Sequence, residues 1–147
     1  MHFKTLVSDF NIQSVLIVED EAHIRLLLKK IFMEMKFEDI READNGLDGC
    51  RLYGESPPDL VIMDINLPKM NGLEALAAIT DSDPEAAVIM MTSLGTRQAV
   101  ETSIEKGALD YIRKDLPVNE IKAKLADILE EVFGSDNSEK DFGEEVM

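Results

Sequence analysis

The sequence predicts an α/β protein, in which five parallel strands form one doubly wound sheet with helices on both faces. Three observations carry this. Two runs of four apolar residues, 15–18 and 60–63, are rich in Val, Ile and Leu and close on acidic residues. That is the pattern of strands buried on both faces of a parallel sheet. Stretches with apolar residues at helical spacing alternate with such strands. The connections are short, so successive βα units lie side by side.

The first strand spans 14–18, and the helix after it carries Ile24, Leu27, Leu28 and Ile31 at i, i+3, i+4 and i+7. A weaker second strand covers 39–43. Asp44 is placed to cap the next helix, which carries Leu47 and Cys50 and is weakened by Gly46 and Gly49. Ser56-Pro57-Pro58 breaks the chain before a third strand at 59–63. Residues 67–72 form a loop, and the third helix buries Leu73, Leu76, Ala77 and Thr80 before a turn at Asp83-Pro84. The fourth strand is 87–91, and the fourth helix, 96–106, ends at Gly107. After a fifth strand at 109–113, the last helix, 118–133, sets Val118, Ile121, Leu125, Ile128, Leu129 and Val132 on one stripe, and Gly134 stops it. One domain at 14–133 thus lies between an N-terminal extension, 1–13, and an acidic tail, 134–147, expected to be mobile.

Composition narrows the function. The 147 residues suffice for one domain with a real core. Thirty acidic against 15 basic residues give a net charge of −15. This opposes non-specific DNA binding, which needs basic surface, and opposes an anionic membrane surface. The lone cysteine, Cys50, has no internal disulfide partner, which points to the cytoplasm. No apolar stretch reaches the roughly 20 residues of a membrane span, and the first residues lack the layout of a signal peptide.

The chemistry gathers at strand ends. Glu19-Asp20 follow the first apolar run and Asp64 follows the run at 60–63. In open α/β sheets ligands bind beyond the carboxyl ends of the strands, where strand order reverses. Side by side, these strands would bring three carboxylates together, and a hard divalent cation relieves such crowding. Lys114 adds a positive charge, and the set suits handling of a phosphoryl group. Taken singly, the residues read more plainly. Glu19-Asp20 is an acidic helix start, Asp64 a turn former, Lys114 a surface lysine, Thr92 a β-favouring residue and Tyr111 a core residue. For Glu19-Asp20 beside Asp64, their coincidence at strand ends outweighs those readings. The eight methionines and Cys50 read as core filler. His23 is a poor candidate ligand for a hard cation that prefers oxygen.

Four segments, in order and spacing, resemble the response-regulator receiver domains of two-component signalling, in particular the single-domain chemotaxis type. They are Leu16-Ile17-Val18-Glu19-Asp20-Glu21, the stretch 59–72 around Asp64, Met90-Met91-Thr92-Ser93, and Gly107-Ala108-Leu109-Asp110-Tyr111-Ile112-Arg113-Lys114. The resemblance covers about 14–133 and implies the flavodoxin-like strand order 2-1-3-4-5. It implies that Asp64 is the phosphoacceptor, taking a phosphoryl group from a histidine kinase or phosphotransfer protein. Asp20, Asp64 and the backbone carbonyl of Asn66 would bind Mg²⁺, with Mn²⁺ able to substitute, and Glu19 would hold the metal through water. Lys114 and Thr92 would contact the phosphoryl group. Tyr111 would then swing inward and reshape the face of the fourth helix, fifth strand and fifth helix, where a downstream protein target docks. Asn66 and Leu94 would flank the path of the attacking water and tune dephosphorylation.

Two departures from the family pattern stand out. Asp115 follows Lys114 where the family has a cis-proline, and the proline comes at Pro117. A cis Lys114-Asp115 bond would cost about 2.5–4 kcal/mol and is not expected. Glu19 stands where aspartate is common. The rival readings are a constitutive receiver-like scaffold and a Mg²⁺-dependent aspartyl-phosphate phosphatase. The phosphatase reading is weakened by Asn66, which stands where a general acid is required and cannot give and regain a proton in that way. Phe3, Leu6, Val7 and Phe10 lie at i, i+3, i+4 and i+7, which reads equally as a frayed terminus or as an apolar helix face buried on the domain or on a second copy of the chain in a homodimer.

Overall fold

The computed structural model describes residues 11–93 and 96–134. The acidic tail and the face at Phe3, Leu6, Val7 and Phe10 lie outside them, as does Leu94. Strands β1 (Ser14–Val18), β2 (Asp39–Ala43), β3 (Leu60–Asp64), β4 (Val88–Thr92) and β5 (Asp110–Arg113) form one parallel sheet in the order β2-β1-β3-β4-β5. Helices α1 (Ala22–Glu34), α2 (Gly46–Glu55), α3 (Gly72–Ser82), α4 (Arg97–Glu105) and α5 (Val118–Phe133) alternate with them. Fold class and strand order are therefore those expected.

Alternation along the central strands builds two cores. Val15, Ile17, Leu60, Ile62, Ile89 and Met91 face α1 and α5, meeting Leu28, Ile31, Phe32, Leu125 and Leu129. Leu16, Val18, Val61, Met63, Val88 and Met90 face the opposite way, toward Tyr53 of α2 and Ala75, Leu76 and Ile79 of α3. Burial of each such aliphatic side chain contributes about 1.5–3 kcal/mol before the entropy cost. Phe32 and Phe37 close the first core edge-to-face, with ring centroids 5.0 Å apart. At the amino ends of the strands, Asp59 Oδ2 accepts from the Gln13 and Ser14 amides at 2.7 and 3.1 Å, and Ser14 Oγ accepts from the Asp59 amide at 2.8 Å. This clamp ties the start of β1 to the start of β3.

Several local expectations change. Strands β3 and β4 run one residue later than predicted, to Asp64 and Thr92, so both site residues are paired into the sheet. The cap of α2 is Asn45, not Asp44: its Oδ1 accepts from the Asp48 amide at 2.8 Å, while Asp44 binds the Asn45 amide group. Leu47 is 53% exposed, because α2 lies against the sheet on Gly46, Gly49 and Tyr53 instead. A Cβ on Gly46 would lie 1.9 Å from the Met70 carbonyl oxygen, and one on Gly49 3.0 Å from the Val18 methyls. These glycines permit close packing, at the cost in helix propensity that the sequence predicts. In α3 the buried face is Ala75, Leu76 and Ile79, with Leu73, Ala77 and Thr80 half-buried. Val118 stays 40% exposed, because the stripe of α5 meets the core only from Ile121 onward. Cys50 is half-buried, with its Sγ 3.7 Å from Met70 Sδ. Met35, Met63, Met90 and Met91 are buried, whereas Met33 is 57% exposed.

Candidate functional site

The switch point of the sheet falls between β1 and β3, where the chain passes from one direction of winding to the other. The register there pairs Val18 with Met63. One step further brings Glu19 level with Asp64. Apolar residues fill both faces of these strands to their last turn, so the first polar side chains emerge together at one edge. Thr92 ends β4, and its carbonyl accepts the Lys114 amide at 2.8 Å, which seats the lysine directly beyond β5. No peptide bond among the described residues is cis.

Glu19, Asp20 and Asp64 each offer a carboxylate oxygen, and these lie within 4.8 Å of one another. Glu19 and Asp64 are buried and Asp20 is exposed. Lys114 Nζ reaches three carboxylates at once: Glu19 Oε2 at 3.0 Å, Glu21 Oε1 at 2.6 Å and Asp64 Oδ2 at 3.1 Å. Asp64 Oδ1 accepts the Asn66 amide at 3.3 Å, and Glu19 Oε2 accepts the Glu21 amide at 3.0 Å. Arg25 Nη1 donates to the Glu19 carbonyl at 2.8 Å and fixes the end of β1.

The charges of the site are in tension. Desolvation pushes the Glu19 carboxyl up to about 7, with the Asp64 charge adding to it and the Glu21 amide and Lys114 opposing. Asp64 is also raised by desolvation, and Lys114 pulls it back. Burial disfavours the Lys114 ammonium, but its hydrogen bonds to Glu21 and Glu19 and the Asp64 charge outweigh that and hold it above the ordinary lysine range. Glu19 Oε1 is buried among the described residues with no hydrogen-bond partner. An orphaned carboxylate oxygen and a convergent all-oxygen donor set fit a hard divalent cation.

The predicted residues therefore come together in large part. Glu19, Asp20, Asp64 and Lys114 form one cluster, with Asn66 on the adjacent loop and Thr92 buried at the next strand end. Tyr111 stands apart. It is half-buried on β5 beside a groove of about 410 Å³ lined by Arg97, Val100 and Glu101, and Lys124 Nζ lies 5.7 Å from its ring centroid. Glu21 was missed as a site residue. It reads as an acid at a helix start, and it is the N-cap residue of α1, but its side chain makes no cap bond and turns to Lys114 instead. The signal was the third consecutive acid after the strand.

An acidic pocket with a lysine, at the switch point of a 2-1-3-4-5 sheet, defines a class of phosphoryl-accepting signalling domain. The chain belongs to the response regulator receiver domain family, whose model matches residues 15–126. It is 42% identical over 111 residues to the chemotaxis protein CheY of Listeria monocytogenes, covering 76% of this chain and 93% of that protein. It is 34% identical to the sporulation initiation phosphotransferase F of Bacillus subtilis, covering 75% and 88%. Among solved structures, the CheX–CheY–BeF3–Mg complex of Borrelia burgdorferi matches with a TM-score of 0.77 and 32% identity, over 88% of this chain and 96% of that one.

Proposed function

We propose that Asp64 is the residue of this receiver that takes the phosphoryl group, from a phosphohistidine on a histidine kinase or phosphotransfer protein. One observation carries the reading: Asp64 Oδ2 is 3.1 Å from Lys114 Nζ at a buried strand end, beside the acids that follow β1. A carboxylate oxygen of Asp64 supplies the electron pair for the new P–O bond. The P–N bond of the donor breaks, and its pair returns to the imidazole nitrogen. Asp64 must be ionised to attack, and Lys114 favours that form against the penalty of burial. Lys114 then meets the charge on the transferred group, and Thr92 donates its hydroxyl to it.

Glu19, Asp20, Asp64 and the Asn66 carbonyl would hold Mg²⁺, or Mn²⁺ in its place. Bound there, the cation would neutralise charge on the phosphoryl oxygens. The chain promotes its own phosphorylation and dephosphorylation and is not otherwise an enzyme. Asn66 and Leu94 tune the lifetime of the acyl phosphate.

The output is protein contact on the face of α4, β5 and α5, with Tyr111 as the moving aromatic. The receiver unit is 14–133, and the extension 1–13 and the tail 134–147 flank it. The working compartment is the cytoplasm, and the acidic charge disfavours DNA and anionic membranes. No described helix is long and apolar enough to cross a membrane. The test is the mass of the protein after incubation with acetyl phosphate and Mg²⁺. The wild type gains one phosphate and Asp64→Ala gains none. A stable phosphate on Asp64→Ala overturns the assignment.

A further inference from the structure

We propose that Glu21 is a displaceable latch on Lys114, a positioning residue that must let go before the lysine can serve a phosphoryl group. The proposal deepens the reading of Asp64 as phosphoacceptor and rests on it. A lysine ammonium has three donor hydrogens and no more. Here all three are committed, to Glu19 Oε2, Glu21 Oε1 and Asp64 Oδ2 at 3.0, 2.6 and 3.1 Å. A phosphoryl oxygen approaching Asp64, before the P–O bond forms, needs one of those donors, so one present partner must leave.

The three partners differ in what leaving costs. The Glu19 and Asp64 side chains are 1% and 3% exposed, and both are still carboxylates while the phosphoryl group approaches, so releasing either takes the lysine from a buried charge. The Glu21 side chain is 47% exposed and water can solvate it once freed. Geometry and solvation together select Glu21 as the partner that is exchanged for the phosphoryl oxygen.

Glu21 is free for this task because its side chain does not cap α1. Its amide is committed to Glu19 Oε2 at 3.0 Å, which fixes the backbone while the side chain moves. The latch holds Lys114 beside Asp64, 6% exposed, until a phosphoryl group competes for it.

The test compares the wild type with Glu21→Gln and Glu21→Ala. Acetyl phosphate and Mg²⁺ are supplied at low and at about 1 M salt, where exposed pairs are screened. The variants should show a maximal phosphorylation rate raised by about 1.5- to 5-fold at low salt, the range of an exposed ion pair. The gain should vanish at high salt. Mere removal of a repelling charge would instead lower the acetyl phosphate concentration at half rate. An unchanged maximal rate, or a gain that persists at high salt, overturns the latch. A second readout needs neither metal nor phosphate. In the metal-free protein, nitrogen NMR of the Lys114 ammonium should show slow proton exchange in the wild type and faster exchange in Glu21→Gln. Equal exchange in the two overturns the latch, even if no protein takes up phosphate. Failure of phosphorylation in all three proteins, with the exchange difference intact, would sink the phosphoacceptor reading and leave Glu21 as the holder of Lys114.

Discussion

Helices α3 and α4 follow neighbouring strands and have similar lengths, 11 and 9 residues, yet they are fixed to the sheet in different ways. Helix α3 starts with a full capping box, in which Asn71 Oδ1 accepts the Glu74 amide and Glu74 Oε1 accepts the Asn71 amide. It buries Gly72, Ala75, Leu76 and Ile79. A Cβ on Gly72 would lie 2.0 Å from the Asp64 carbonyl oxygen, so the helix starts hard against the backbone of Asp64 itself. Its C-cap residue, Asp83, is held by the Tyr53 hydroxyl at 2.7 Å. Helix α4 has a Thr96 cap and buries only Ser103, and Ile104 is 48% exposed. It is tied at its C-terminal end, where Thr80 Oγ1 donates to the Lys106 carbonyl at 2.8 Å. Its first turns line the groove beside Tyr111. One side of the site is a fixed wall. The other is a helix pinned at one end, and movement requires such a low-stability element.

The comparison breaks most clearly on core truncation. Leu76→Ala in α3 should cost about 2–5 kcal/mol, whereas Ile104→Ala in α4 should stay within about 0.5 kcal/mol. Urea unfolding midpoints measure both, and equal losses would mean that α4 is as deeply anchored as α3. Cation binding should sharpen the contrast from the other side. At ten times its dissociation constant, Mg²⁺ should stabilise the protein by about 1.4 kcal/mol. Amide exchange should slow in β1 and β3 more than in α4, and Asp20→Ala should remove the effect.

The Tyr53–Asp83 bond anchors the far end of α3. Burial raises the Tyr53 phenol above its usual range, and the bond to Asp83 adds to that. Below about pH 10 the phenol is protonated in both folded and unfolded chains, and the bond contributes fully. Above that pH the unfolded chain loses its proton first, so stability falls as pH rises. Tyr53→Phe should cost about 1 kcal/mol at pH 7 and should show a shallower alkaline decline in unfolding midpoint than the wild type. The caps give the smallest contrast. Asn71→Ala and Thr96→Ala each remove a cap of about 1 kcal/mol. The first should lower global stability, and the second should mainly speed amide exchange within α4.

The sheet and its polar edge were legible because both rest on short-range patterns. Runs such as Val15–Val18 of β1 read as buried strands, and an acid after each run can only emerge at the strand's carboxyl end. What escaped depended on contacts distant in sequence. Gly46 and Gly49 read as helix weaknesses, because nothing local reveals that Met70 and Val18 press against them. Asp44 and Asn45 are both good caps, and only the extended backbone of Asn45 decides between them. Glu21 lies 93 residues from its partner Lys114, and its local role as a helix-start acid hid the other. The box at Asn71 and Glu74 is the exception, a purely local spacing of cap and acid.

The clamp between Ser14 and Asp59 works as a gauge at the foot of the sheet. It spans 45 residues of sequence and fixes the relative height of the two central strands at their starting ends. Five residues further along each strand, about 16 Å away, that setting becomes the spacing of Glu19, Asp20 and Asp64. Two small polar side chains that never approach the acidic pocket thus share with the β1–β3 pairing in holding its register. A protein engineer who wished to retune the pocket for a larger ion could leave every carboxylate in place and turn the screw at the opposite end.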